Sequence, residues 1–90
     1  MNPTFQQALD RFVQQAQRLV DERMAVECPN IPSYLLTIEP GLRYCRVVKT
    51  AWGGTGQRSI HCFVDSTNGD ILKAASWKSP AKGPRGSIYA

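Results

Sequence analysis

Hydrophobic and polar positions follow a helical period over residues 4–24, which is the clearest pattern in the chain. The apolar positions recur at spacings of three and four: Phe5, Ala8, Leu9, Phe12, Val13, Ala16, Leu19, Val20 and Met24. Glutamine and charged residues occupy the opposite side. This spacing predicts an amphipathic helix, with a start signal at Thr4 and Gln7 or at Asn2 and Pro3. The apolar face has to pack on another element to leave water.

Four strand-like segments follow the helix, at residues 34–39, 42–52, 58–65 and 70–76. A connector at 28–33 with two prolines ends the helix, and Pro40-Gly41 suits a type II turn. Thr67-Asn68-Gly69 is typical of a hairpin. We therefore expect an α+β fold in which helix 4–24 covers a four-stranded antiparallel β-meander at 34–76. At 90 residues the chain is predicted to be one domain, 1–90.

The expected turn lengths divide the strand residues between two faces of the sheet. Two-residue loops at Pro40-Gly41 and Gly53-Gly54, with a three-residue loop at 67–69, place these residues toward the helix: Leu36, Ile38, Cys45, Val47, Ile60, Cys62, Val64, Leu72 and Ala74. The other face, called the second sheet face below, receives Leu35, Thr37, Tyr44, Arg46, Val48, Thr50, Ser59, His61, Phe63, Ile71 and Lys73. A slip of one residue would exchange the faces of a strand.

The helix–sheet core predicted from these faces joins four helix residues to four strand residues: Leu9, Phe12, Ala16 and Leu19 with Leu36, Val47, Ile60 and Val64. Replacing Phe12 by alanine is expected to cost about 3–5 kcal/mol of stability as a large-to-small core change.

Charge is unevenly distributed along the chain, whose net charge is +4. Residues 1–39 carry three basic and five acidic side chains, a net −2, whereas residues 40–90 carry eight basic and two acidic ones, a net +6. This asymmetry favours an anionic partner for the second half, most simply nucleic acid or a nucleotide. The alternative is that the basic residues only keep a small protein soluble.

The tail, residues 77–90, interleaves basic residues with glycine and proline. Lys78, Lys82 and Arg85 alternate with residues that either lack an amide donor or loosen the backbone. The tail is therefore predicted to be irregular, and such a segment can wrap phosphates. A disordered end is the alternative, against which stand the apolar anchors Trp77, Ile88 and Tyr89.

The second sheet face adds aromatic rings to these cations. Rings beside cations on an open sheet stack the bases of single strands. The predicted ligand-binding residues are Lys73, Trp77, Lys78, Lys82, Arg85, Arg46, Tyr44 and Phe63. Two alternatives remain, because Leu35, Val48 and Ile71 make this face apolar: it is a dimer interface, or it is covered by Trp77, Ile88 and Tyr89.

Catalytic and metal-binding patterns have no support in the sequence. Cys28, Cys45 and Cys62 are odd in number and lack a Cys-x-x-Cys spacing, so they are predicted to be reduced and structural. His61 is the only histidine, and Asp65 and Asp70 flank a turn. We expect a non-catalytic protein without a cofactor. No apolar run reaches the ~20 residues of a membrane span, and the expected location is a cytoplasm.

The run GDILKAASWKSPAKGPRGSIY resembles the C-terminal signature of small proteins encoded by tailed bacteriophages. In that signature a Gly-Asp strand start leads to Ala-Ser-Trp-Lys, Pro-Ala-Lys and Arg-Gly, and the resemblance extends from Phe63 to Tyr89. It implies a phage origin, action in the cytoplasm of an infected bacterium, and a small accessory factor that binds nucleic acid or disables a host protein.

Two functions therefore stand as hypotheses. The first is a small accessory protein that binds single-stranded nucleic acid or a nucleotide through its basic C-terminal half. The alternative is an inhibitor that binds a host or defence protein through the second sheet face, with which a homodimer through that face is compatible.

Overall fold

The computed structural model describes residues 4–89 and consists of one long helix packed on an antiparallel sheet. Helix α1 spans Phe5–Glu27. The strands are β1 (Leu35–Glu39), β2 (Tyr44–Thr50), β3 (Arg58–Asp65), β4 (Asp70–Leu72) and β5 (Gly86–Ser87), with a 3-10 turn at Trp52–Gly54. They lie side by side in chain order. The predicted α+β fold is confirmed, and the sheet gains a fifth strand from the tail that the sequence predicts to be irregular.

The helix begins with the capping box that its sequence indicates. The Thr4 hydroxyl accepts a hydrogen bond from the backbone N–H of Gln7 at 3.1 Å, and Gln7 Oε1 accepts one from the Thr4 N–H at 3.0 Å. The other start signal, at Asn2 and Pro3, lies outside the described residues. The helix continues beyond residue 24 to Glu27, where the Cys28 N–H still bonds to the carbonyl of Met24.

The core lies between α1 and the near face of the sheet. Its buried members are Ala8, Leu9, Ala16, Leu36, Cys45, Val47, Cys62, Val64 and Ile88, with Phe5, Phe12, Val13, Val20, Ile38 and Ile71 packed against them. Leu19 is wrongly predicted in this core, since it is 66% exposed. Gln17 ties the helix to the edge of the sheet: its amide donates to the Tyr34 carbonyl at 2.7 Å and accepts from the Leu36 N–H at 2.8 Å.

A β-bulge in β3 changes the predicted faces. Val47 pairs with Cys62, but Val48 pairs with Ile60, so His61 is an extra residue in the strand. Ile60 therefore lies on the second sheet face and not in the helix core. His61 moves to the helix side, where it lines clefts together with Val20 and Arg23. Both residues are corrections to the predicted arrangement.

The turn between β3 and β4 is one residue longer than predicted, because it runs from Ser66 to Gly69. Val64 consequently pairs with Ile71, and Phe63 with Leu72. This register exchanges the predicted faces of β4: Ile71 packs against the helix core, and Leu72 is buried on the second sheet face beside Phe63. Gly69 ends the turn at a φ of 77°, with its N–H bonded to the Asp65 carbonyl at 2.7 Å.

Asp65 fulfils the turn role that the sequence indicates. Its Oδ1 accepts hydrogen bonds from the Thr67 hydroxyl at 2.6 Å and the Thr67 N–H at 2.9 Å. These bonds, with Arg43 nearby, hold the pKa of the Asp65 carboxyl below its usual range. Among residues 4–89, no helix has the length and apolar character that crossing a bilayer requires.

Candidate ligand-binding surface

Residues 73–87, which include most of the tail, fold back on the sheet as an ordered hairpin. The Lys73 carbonyl accepts from the Ala81 N–H at 2.7 Å, and the Ile71 carbonyl accepts from the Arg85 N–H at 2.7 Å. Gly86 and Ser87 then pair with β4 as strand β5. Ile88 follows and enters the helix core with only 4% of its surface exposed. These contacts identify the tail as part of the fold.

Trp77 lies on the second sheet face near two arginine side chains. The guanidinium carbon of Arg46 is 6.0 Å from the centre of a Trp77 ring, and that of Arg58 is 5.3 Å away. Arg46 Nε also donates to the Trp77 carbonyl at 2.8 Å, and Arg58 forms an ion pair with Glu39. Trp77 remains 39% exposed, so part of a fixed indole ring faces solvent beside two cations.

The other two aromatic residues predicted on this face are less accessible. Phe63 is 1% exposed, and the Arg46 guanidinium lies 5.9 Å from its ring centre. Its ring offers no surface to a base, which corrects the stacking role predicted for it. Tyr44 is half-buried and meets Phe63 edge-on, with ring centres 6.3 Å apart at 79°. Val48 and Leu72 are buried on the same face, so the centre of this face is not open.

The tail cations divide between two sides of the sheet edge. Lys78 is exposed in the loop of the hairpin, and Lys82 is exposed just after it. Lys73 was predicted on the second sheet face, but the shifted β4 register places it on the helix side, where it lines a small cleft with Arg85, Phe12 and His61. In the described part of the chain, ion pairs involve Arg23, Arg43 and Arg58, and none includes Lys73 or the three tail cations.

The sequence does not single out a second feature, a cleft at the tip of the β2–β3 hairpin. This tip cleft has a volume of about 560 Å³ and lies between the second half of α1, the connector after it and the hairpin tip. Trp52 stands at its edge, 55% exposed, and Lys49 Nζ lies 4.8 Å from the ring centre of Tyr34. The signal for it in the sequence is only an aromatic residue placed immediately before Gly53-Gly54.

The cysteines are free and do not form a reactive centre. Cys45 and Cys62 are buried in the core, and Cys28 is half-buried. Burial raises the pKa of the Cys62 thiol to about 12, so the thiolate is scarce at neutral pH. Within residues 4–89, no group of three His, Cys, Asp or Glu side chains is arranged to hold a metal ion.

Comparison with known proteins identifies the family of the chain but not its function. The family described as "Family of unknown function (DUF7717)" has a model that matches residues 4–90. No curated protein and no solved structure matches the chain.

Proposed function

We infer the function from the geometry of the tail, because the chain belongs to DUF7717, which is a family of unknown function. The proposed role is that of a non-catalytic binding protein whose C-terminal hairpin binds single-stranded nucleic acid. Trp77 would stack on a base, with Arg46 and Arg58 beside it. Lys78 and Lys82 would neutralise phosphates.

The observation that carries this proposal is the partly exposed Trp77, whose ring lies near the guanidinium groups of Arg46 and Arg58 and which is followed directly by Lys78. Base stacking on an aromatic side chain contributes about 1–3 kcal/mol per base. Each lysine that meets a phosphate releases a counterion. A fixed ring therefore supplies a stacking platform, and the exposed lysines supply electrostatic attraction without requiring a particular base sequence.

A polymer fits the tail cations better than a free nucleotide does. The cleft lined by Lys73 and Arg85 has a volume of about 210 Å³, which is below the ~300–1,000 Å³ of most small-molecule sites. The remaining tail cations are exposed in the loop of the hairpin and just after it. A single strand that crosses the β5 edge of the sheet could reach cations on both sides, which one nucleotide could not.

The alternative role, inhibition of a host or defence protein through the second sheet face, has less support. Its motivation is an open apolar face, but Val48, Phe63 and Leu72 are buried there. The phage origin implied by the C-terminal signature would place either activity in an infected bacterial cytoplasm. The nucleic-acid proposal depends on the tail residues and the two arginines beside Trp77, and not on that origin.

Removing tail cations should reduce the salt dependence of binding. In the double variant Lys78→Gln/Lys82→Gln, the slope of log affinity against log salt concentration should become shallower by about 1.4. Each phosphate contact on a single strand contributes about 0.7 to that slope. The measurement is a fluorescence-anisotropy titration of labelled oligothymidine at several salt concentrations.

The matched control removes the same charge from the helix. Arg18 and Arg23 are exposed on α1, and the clefts that Arg23 lines contain no residue of the tail, so Arg18→Gln/Arg23→Gln should leave the slope unchanged. Equal changes of slope in the two double variants would show that net charge alone attracts the oligonucleotide. The tail would then have no specific role in binding.

A further inference from the structure

The tip cleft is a separate feature from the tail and has the size of a small-molecule site. Its volume of about 560 Å³ falls in the ~300–1,000 Å³ range typical of such sites. Apolar and aromatic side chains make up much of its wall: Val20, Met24, Ile31, Pro32, Tyr34 and Trp52. None of residues 73–89 lines it.

Trp52 is held at the edge of this cleft by a strained backbone. Its φ of 55° lies in the left-handed region, which a bulky side chain rarely adopts. The ring rests against Gly56, where an added Cβ would come within 2.7 Å of Trp52 Cδ1. The N–H of Gly53 donates to the Ser33 carbonyl at 2.9 Å and so ties the hairpin tip to the connector. Strain of this kind concentrates at ligand-binding positions.

The positive charge in the cleft has no acidic partner of its own. Lys49 is half-buried, and its ammonium lies over the Tyr34 ring. Among residues 4–89 no carboxylate pairs with it, and the one acidic residue that lines the cleft, Glu27, is bonded to Arg23 at 3.2 Å. A partly desolvated cation without a counter-charge favours an anionic ligand.

His61 adds a neutral polar group beside Lys49. Burial and the nearby Lys49 ammonium lower the pKa of His61 below 6.5. The imidazole is therefore uncharged at neutral pH and can donate or accept one hydrogen bond. The cleft thus combines one cation without an acidic partner, the Arg23–Glu27 ion pair, one neutral hydrogen-bonding ring and two aromatic side chains.

We propose that the tip cleft binds a small aromatic anion, whose ring packs against Trp52 and Tyr34 and whose carboxylate, sulfonate or phosphate pairs with Lys49. The apolar walls favour an aromatic ligand, and the unpaired ammonium of Lys49 favours a negatively charged one. The volume limits the ligand to a small molecule. This site is independent of nucleic-acid binding by the tail.

The probe for this proposal is 8-anilinonaphthalene-1-sulfonate, compared with N-phenyl-1-naphthylamine, which has the same rings without the sulfonate. The folded protein should bind the sulfonate at least about tenfold more tightly, the order expected for one hydrogen-bonded charge. In amide NMR spectra the sulfonate should shift the resonances of residues 49–53 and 23–28, while those of 77–82 should not move. Shifts confined to the tail, or equal affinity for the two probes, would overturn the proposal.

Matched variants locate the two parts of the site. Lys49→Gln should weaken binding of the sulfonate by about tenfold and leave the neutral probe unaffected, whereas Lys78→Gln should change neither. Trp52→Ala should weaken both probes, and Trp77→Ala should weaken neither. Each variant is accepted only if its urea unfolding midpoint matches that of the wild type. The wild-type NMR shifts decide the question if Trp52→Ala does not fold.

Discussion

Replacing Phe63 with alanine is expected to lower the free energy of unfolding by about 3–5 kcal/mol, the usual cost of removing a buried phenylalanine. Phe63 is the largest of the fully buried side chains, at 1% exposure. It joins Tyr44, Arg46 and Leu72 on the second sheet face. Small domains are stable by only about 5–15 kcal/mol, so the loss should be visible as a large drop in the urea midpoint.

The control for this prediction is Phe12→Ala. The sequence indicates Phe12 as a core residue, but the side chain is half-buried and borders three open clefts. Its removal should therefore cost less than the removal of Phe63. The reverse order of the two costs, measured by urea unfolding with unchanged slopes, would contradict the described packing of the second sheet face.

Replacing Ile88 with alanine is expected to cost about 2–5 kcal/mol, because the tail returns to the helix core through this residue. Ile88 is 4% exposed and belongs to the same cluster as Leu9 and Val47. Its N–H also bonds to the Gly69 carbonyl at 3.0 Å. Ile88 would have no such effect if the tail did not pack against the core.

Leu42→Ala provides the comparison, since Leu42 is a fully exposed aliphatic residue in the β1–β2 loop. It should change the free energy of unfolding by no more than about 0.5 kcal/mol. If Ile88→Ala is equally mild, the tail is not anchored in the core. The arrangement of Trp77 and the tail lysines would then lose its support.

The helix could be predicted from the sequence because its signals are local. The capping residues Thr4 and Gln7 and the apolar spacing of three and four both lie within a few turns of one another. The division of the first strands into faces is also correct, although the β1–β2 loop is longer than two residues. Leu36 pairs with Lys49 and not with Cys45, and a shift by an even number of residues keeps each side chain on its face.

The predicted faces are wrong where the observed register differs from the predicted one by an odd number of residues. The bulge at His61 and the four-residue turn 66–69 each shift the register by one residue. They move Ile60 and Lys73 to the faces opposite those predicted. A bulge depends on how the strand packs against its neighbours, and the residues 58–65 contain no glycine or proline that marks it. Turn length is likewise ambiguous where Ser, Thr, Asn and Gly follow one another.

For the candidate site, the sequence predicts the types of residue but not their arrangement. The sequence indicates a basic tail with Trp77, and it identifies Arg46 as a helper from the sheet. It does not indicate Arg58, because the contact with Trp77 depends on how the tail folds back. It also misses the tip cleft, whose walls come from α1, the connector and the β2–β3 hairpin. Such long-range contacts have no local pattern.

Binding of nucleic acid by the tail is tested most directly by a titration of labelled oligothymidine with the wild-type protein and with two tryptophan variants. The oligothymidine is about 16 nucleotides long, to match the site of a single-strand-binding domain. The wild type should bind more tightly than ~10⁻⁴ M, the weak end of non-specific nucleic-acid affinity. Trp77→Ala should lose about 1–3 kcal/mol of binding free energy, and Trp52→Ala should bind like the wild type. No binding tighter than ~10⁻⁴ M, or equal losses in the two variants, would contradict the proposal that the tail around Trp77 is a nucleic-acid site.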